Sequence, residues 1–223
     1  NKITPSYSSP YSAYINMPFI KIMSFSPERF LSYDGNIVET KPIKGTRPVS
    51  DDKNINKQLM KELSESYKER AENLMIVDLL RNDLGKNCEY GSVKVKELFS
   101  IETFANVHHL VSTIQGKIAS DNDIYKLIRD CFPGGSITGA PKIRAMQIIN
   151  ELELDNRNVY GGSIGYISFS GTTDLNIAIR TVMATKDKLY FWGGGGIVYD
   201  SEVESEYKET FDKIKPLLNL LKS

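Results

Sequence analysis

Two pairs of glutamates have a spacing that could do chemistry. Glu69 and Glu72 lie three residues apart, and Glu206 and Glu209 repeat that interval far along the chain. On a helix, residues at i and i+3 share one face. Four carboxylates from two separate helices suit a hard cation such as Mg²⁺, which takes one or two protein carboxylates and keeps waters and substrate oxygens for the rest. The same residues also fit solvated helix faces, with Lys68 and Glu72, or Glu209 and Lys213, as i, i+4 ion pairs. Spacing alone leaves both readings open.

Two glycine-rich segments, FPGGSITGAPK (132–142) and WGGGGIVYD (192–200), lack the spacing of a dinucleotide fingerprint or a P-loop, so a nucleotide site is not supported. The four glycines after Trp192 bare backbone amides that suit a carboxylate, or form a mobile loop. Gly139-Ala140-Pro141 fits a helix start, whose free amides are another place for an anion. His108 and His109 are the only histidines, and strand alternation in FANVHHLVST sends them to opposite faces. Either is structural or functional. Arg180, among apolar residues in an expected central strand, requires an anionic partner from protein or ligand. Lys44 sits in KPIKGTRP, a turn-rich stretch, where a protonated amine is a poor nucleophile unless its surroundings change that.

These residues need a scaffold. Residues 1–18 have no steady periodicity and read as irregular. A strand pattern runs from Phe19 to Ser26, and Asp34-Gly35 between two short β-like runs is a hairpin signal. Helical spacing covers Asp52 to about Leu84 with a Gly85 stop, which places Lys44 in a strand-to-helix loop. Strands are predicted over 92–118 and helices over 121–131 and 140–153. Further strands follow near 162–169, 173–186 and 188–199, then a helix from Glu202 to about Leu221. The hairpins favour antiparallel pairing, so the fold class is α+β.

Composition narrows the function. The chain has 223 residues, 40% of them hydrophobic, enough for a core, and no apolar run approaches the roughly 18–20 residues of a membrane span. No export signal is present, so a cytoplasmic location with no membrane partner is expected. The 28 basic and 28 acidic side chains cancel, which removes the footprint of a nucleic-acid binder and leaves small, locally recognised anions. Cys88 and Cys131 match no metal or redox spacing and read as reduced packing residues. With Asn1 at its start and no initiator methionine, the chain reads as a fragment.

Taken together, SPERF (26–30), PIKGTRP (42–48), ERAENLMIVDLLRNDLGK (69–86), VHHLVST (107–113), FPGGSITGAPKIRAMQIINELE (132–153), YGGSIGYISFSG (160–171), IAIRT (177–181) and GGGIVYDSEVESEYKET (194–210) resemble the chorismate-utilising enzymes. The blocks keep the family's order over nearly the whole chain. The resemblance implies a large antiparallel β-sandwich flanked by helices, here lacking N-terminal strands, with its active site in a cleft. It also implies a subgroup: anthranilate-forming members carry alanine at the position of Lys44, whereas the P-I-K-G-T form is that of members aminating chorismate at C4. In those, the lysine attacks C2 and ammonia displaces it at C4, giving 4-amino-4-deoxychorismate for p-aminobenzoate and folate biosynthesis.

By the same resemblance Glu28 is the general acid and His109 a catalytic-site histidine. Glu72 and Glu209 bind Mg²⁺ directly, and Glu69 and Glu206 through water. Tyr160, Arg180, the backbone of Gly194 and Gly196, and Lys213 hold substrate carboxylates, while Thr46 and Thr138 line the same region. Ammonia comes from a separate glutamine amidotransferase subunit, since neither cysteine here has a glutaminase context. Anthranilate or isochorismate formation on the same fold, and a non-catalytic remnant that binds a partner, are the alternatives. Lys44 argues against anthranilate because its chain fills the path of ammonia to C2. The joint presence of Glu28, Lys44, Glu72 and Glu209 argues against a remnant.

Overall fold

Apolar alternation and turn residues build the first strands, β1 (Tyr11–Asn16), β2 (Lys21–Ser26), β3 (Arg29–Tyr33), β4 (Ile37–Lys41) and β5 (Ile43–Pro48). Helices α1 (Lys53–Glu65) and α2 (Tyr67–Gly85) follow, then strands β6 (Lys94–Thr103) and β7 (Val107–Lys117). After these come helices α3 (Ile124–Cys131) and α4 (Lys142–Leu152), short strands β8 (Gly165–Ile167), β9 (Thr173–Asn176), β10 (Thr181–Ala184) and β11 (Leu189–Phe191), and helix α5 (Val203–Lys222). The computed structural model describes residues 9–104 and 107–222; residues 1–8 of the expected irregular stretch lie outside them. The antiparallel sheets and interspersed helices are those of an α+β chain. No helix among the described residues is long and apolar enough to cross a membrane.

The chain divides into two units. The first comprises Asn1–Arg29, Leu154–Gly165 and Leu175–Ser223, and contains the four-stranded sheet β1-β2-β10-β11. Strand β2 pairs with β1 from Tyr11↔Ser26 to Asn16↔Lys21, and with β10 from Thr181↔Ser24 to Ala184↔Lys21. Its core gathers Phe25, Val182 and Leu217, so the apolar stripe of α5 closes over the sheet.

The second unit comprises Phe30–Glu153 and Tyr166–Asp174. Its organising strand is β7, buried at every residue from His108 to Ile114. It pairs with β4 over Ile114–Lys117, with β5 over Val107–Val111 and with β6 over His108–Gln115. Polar residues on β7 therefore need partners inside the protein. Ser112 supplies its hydroxyl proton to Asn73 Oδ1 of α2 at 2.5 Å and accepts from the Phe99 amide at 3.1 Å. His108 engages Thr103 through Nδ1 at 2.9 Å and Asn56 through Nε2 at 3.1 Å. Cys88 and Cys131 are buried, and burial pushes their thiols up to about 11 and about 12. Both are inert packing groups.

Several expected elements change. The helix predicted from Asp52 to Leu84 is two helices, because Ser66 (φ −62°, ψ 111°) ends α1 and caps α2, accepting from the Glu69 amide at 3.4 Å. Ser-x-x-Glu is the signature of such a cap. Lys44 lies in strand β5, not in a loop. The strand expected over 173–186 breaks across Ile177–Arg180, leaving Arg180 outside β10 in a left-handed conformation (φ 49°). Of the strand expected over 188–199 only Leu189–Phe191 forms, while Tyr11–Asn16, read as irregular, is a strand.

The Asp34-Gly35 turn forms as predicted, with Gly35 at φ +100° and Asp34 Oδ1 accepting from Asn36 N (2.8 Å) and Ile37 N (2.7 Å). These amides, Ile37 first and Asn36 next, hold the Asp34 carboxyl below its ordinary 3.8. A folded value below the unfolded one contributes stability that is present above pH 3.8 and lost as the pH falls through the folded value. Asp34→Asn keeps the acceptor but cannot titrate. Thermal melts between neutral and acid pH are expected to show a flatter acid limb in this variant than in the parent.

Candidate active site

In the second unit the candidate residues are set by a slip in strand pairing. Lys44 stands opposite Leu110 and Thr46 opposite His109, with Gly45 as the extra residue between them at φ +72°. Such a bulge re-aims neighbouring side chains. A Cβ at Gly45 would lie 2.6 Å from Leu63 Cδ1 and 2.9 Å from Glu69 Cδ, so the carboxylate of Glu69 rests against bare backbone. Arg47 Nη1 approaches Glu69 Oε1 at 3.7 Å. Thr46 Oγ1 is 2.9 Å from Nδ1 of His109, which is 1% exposed and tilted against the Phe104 ring. The half-buried Lys44 ammonium makes no hydrogen bond or ion pair among the described residues. Glu72, half-buried, lies one turn beyond Glu69 on α2. Thr138 directs its hydroxyl into its own turn, to Gly134 O (2.9 Å) and Gly135 O (3.3 Å).

The first unit holds the other candidates. Glu28, 5% exposed, lies between β2 and β3, and its carbonyl accepts from Ile177 N at 3.0 Å. Ala178 exchanges hydrogen bonds with Gly161 and Gly162 (3.0 and 2.8 Å), and the Arg180 carbonyl accepts from Phe25 N at 3.1 Å. The segments carrying Glu28, Tyr160 and Arg180 are thus laced together by backbone. The glycine run is placed, not left loose. A Cβ at Gly193 would meet Ile214 at 2.9 Å, at Gly194 the Tyr160 hydroxyl at 2.9 Å, and at Gly195 Glu206 Oε2 at 2.9 Å and Glu209 Oε1 at 3.7 Å. Gly196 continues this loop. Lys213 donates to Gly194 O at 2.9 Å and forms the expected i, i+4 ion pair with Glu209 at 2.6 Å.

Glu206, 7% exposed, borders a cavity of about 280 Å³ whose other walls include Ile197, Val203, Tyr207 and Thr210. Both glutamate pairs begin in the opening turns of their helices. Their donors are all oxygens, and each pair includes a carboxylate held against a glycine that leaves room for no Cβ, a donor set suited to a hard cation. Among the described residues no group of three or more His, Cys, Asp and Glu side chains gathers at metal-holding spacing, and the two pairs belong to different units. Sequence reasoning passed over Gly45, Gly195 and Ser201. The first was signalled by a glycine beside a lysine inside a β-like run, whereas the last has no signal apart from its place before α5.

The model of the chorismate binding enzyme family matches residues 1–219, and the chain belongs to that family. It is 52% identical to aminodeoxychorismate synthase component 1 of Salmonella typhimurium over 215 residues, 96% of this chain and 47% of that protein. The protein of the same name from Bacillus subtilis is 45% identical over 205 residues, 92% of this chain and 44% of that one. Anthranilate synthase component I from Streptococcus pneumoniae has a similar structure, with a TM-score of 0.86 at 38% identity over 96% of this chain and 47% of that chain. The chain spans about half the length of the curated relatives it matches.

The Gly45 bulge is testable. Gly35→Ala and Gly45→Ala both place a side chain at positive φ, but only Gly45 also has Leu63 and Glu69 in the way. Overpacking adds about 1–3 kcal/mol to backbone strain. Denaturant melts are expected to show Gly45→Ala as the more destabilised of the two; equal losses would mean that Leu63 and Glu69 move aside without cost.

Proposed function

We propose that this chain carries the chorismate-binding catalytic region of an aminodeoxychorismate synthase component I, which aminates chorismate at C4. The observation that carries this reading is Lys44. It projects from a bulged strand, half-buried and without an ionic partner among the described residues, beside the Thr46–His109 hydrogen bond.

In the proposed reaction the neutral Lys44 amine forms a bond to C2 of chorismate, the ring double bond shifts, and the C4–O bond breaks. Hydroxide leaves poorly, so Glu28 protonates the departing oxygen and water is released. Ammonia then forms the C4–N bond, the double bond shifts back, and the C2–N bond breaks. The proton that the lysine nitrogen sheds on bonding to C2 restores Glu28, and the proton lost by the entering nitrogen is the one that lysine regains. Two successive allylic shifts return the ring to its original pattern and give 4-amino-4-deoxychorismate. Glu28, 5% exposed, is assigned the proton donor's part from its place in the SPERF block.

His109, held by Thr46, orients the region around Lys44. Tyr160, Arg180, Lys213 and the amides of Gly194 and Gly196 are assigned to the substrate carboxylates, Arg180 through a bidentate contact. Thr138 is assigned to the wall. Glu72 and Glu209 would hold Mg²⁺ directly, with Glu69 and Glu206 through water, and the ion would neutralise the ring carboxylate. The partner is a glutamine amidotransferase subunit that delivers ammonia, and the location is cytoplasmic. Anthranilate formation is the second reading, favoured by the likeness to the Streptococcus pneumoniae structure. Residue 44 separates the two.

The chain is to be incubated with chorismate, Mg²⁺ and ammonium at mildly alkaline pH, and the product identified by mass spectrometry. Aminodeoxychorismate is expected, abolished by Lys44→Ala and by EDTA, with Glu28→Gln slowing turnover by about 10²–10⁴-fold. Anthranilate or isochorismate would overturn the assignment.

A further inference from the structure

We infer that Ser201 is a positioning residue that fixes the carboxylate of Glu206 and ties the order of the glycine loop to Mg²⁺ binding. This rests on the assignment of Glu206 to the metal. A serine hydroxyl has one proton to give and two lone pairs to receive. The Val198 amide donates to Ser201 Oγ at 3.1 Å, and the Ser201 amide donates back to Val198 O at 3.0 Å. The residues thus close a small loop on themselves. With its acceptor side in use, the hydroxyl gives its proton to Glu206 Oε1 at 2.7 Å, the length of a charge-assisted bond.

The opposite side of the carboxylate faces bare glycine backbone. Oε2 stands 2.9 Å from the position of a Gly195 Cβ, and Glu209 Oε1 lies 3.7 Å from that same point. Two acidic oxygens therefore flank one spot above the glycine backbone. The Glu209 oxygen is paired with the Lys213 ammonium at 2.6 Å, which itself lies 4.0 Å from that point. By anchoring Oε1, Ser201 keeps Oε2 on the side of Glu209. Because Val198 and Ser201 follow closely on Gly194–Gly196, a disordered loop would remove this anchor from Glu206, and a cation held by the anchored Glu206 would order the loop. Linkage makes these two statements equivalent.

An outer-shell hydrogen bond of this kind is worth about 10–100-fold in metal affinity. The test is calorimetric titration of Mg²⁺ into the full chain, repeated with Mn²⁺ followed by water-proton relaxation, on the parent, Ser201→Ala and Ser201→Thr. Support requires weakening in that range for Ser201→Ala, substantial recovery in Ser201→Thr, and a kcat at saturating Mg²⁺ close to the parent's with a higher Mg²⁺ requirement. A purely structural serine would instead lower the melting temperature and kcat while leaving the Mg²⁺ titration of the folded fraction unchanged, which would overturn the inference. If Ser201→Ala does not fold, Ser201→Cys, nearly isosteric with a weak donor, reads the same affinity. A parent that binds no Mg²⁺ would remove the metal assignment itself, and the inference with it, and is distinguishable because it appears before any substitution is made.

Discussion

The arrangement depends on two places where a carboxylate meets backbone that carries no side chain. At Gly45 the room for a Cβ is taken by Leu63 and Glu69; at Gly195 it is taken by Glu206. Each glycine brings its glutamate closer to the main chain than any other residue would allow, and each lies next to groups assigned to the substrate, Lys44 in one case and Gly194 and Gly196 in the other. The conformational cost of glycine is thus accepted where contact with an acid requires it. The rest of the local architecture serves these two contacts: a strand bulge presents Gly45, while Tyr160, Ile214 and Lys213 seat the glycine run.

A second constraint comes from strand β7. It is buried along most of its length yet carries His108, His109, Ser112 and Thr113. His108, His109 and Ser112 reach partners on neighbouring elements, which bind the second unit together, whereas Thr113 Oγ1 finds none among the described residues. Ser112 reaches Asn73 on the helix of Glu69 and Glu72, and His109 reaches Thr46 one residue beyond the Gly45 bulge. Asn73 is fully buried and its Nδ2 finds no partner among the described residues. An unsatisfied amide costs stability, about 1–3 kcal/mol. Its retention on the helix of the acidic pair is consistent with a premium on helix placement over stability.

Much of this was legible in the sequence, for reasons that can be named. The Asp-Gly hairpin, the terminal helix and the α+β class follow from local turn chemistry and periodicity, which short windows contain. The shared cap at Ser66 was legible too, as Ser-x-x-Glu, but the helical pattern on both sides concealed it. Lys44 could not be placed correctly by such means. Pro42, Gly45 and Pro48 look like turn residues, and only pairing with β7, more than sixty residues away, makes them an edge strand with a bulge. Arg180 was misplaced for the converse reason. Its apolar neighbours look like strand interior, yet Ala178 pairs with Gly161 and Gly162, and the chain must turn at Arg180 before β10. Non-local pairing decided both.

The division of the chain into discontinuous stretches bears on how the protein is made. The polypeptide passes between the units after Arg29, Glu153, Gly165 and Asp174, so neither unit is a continuous piece of sequence. Strand β2 waits for β10, and Ser24 meets Thr181 only after 157 further residues have left the ribosome. During synthesis at about 5–20 residues per second, one edge of β2 lacks this mate for roughly ten seconds or more. An unmated strand edge is a template for pairing with other chains. A nascent copy is therefore most vulnerable to aggregation in the interval between the emergence of β2 and that of β10.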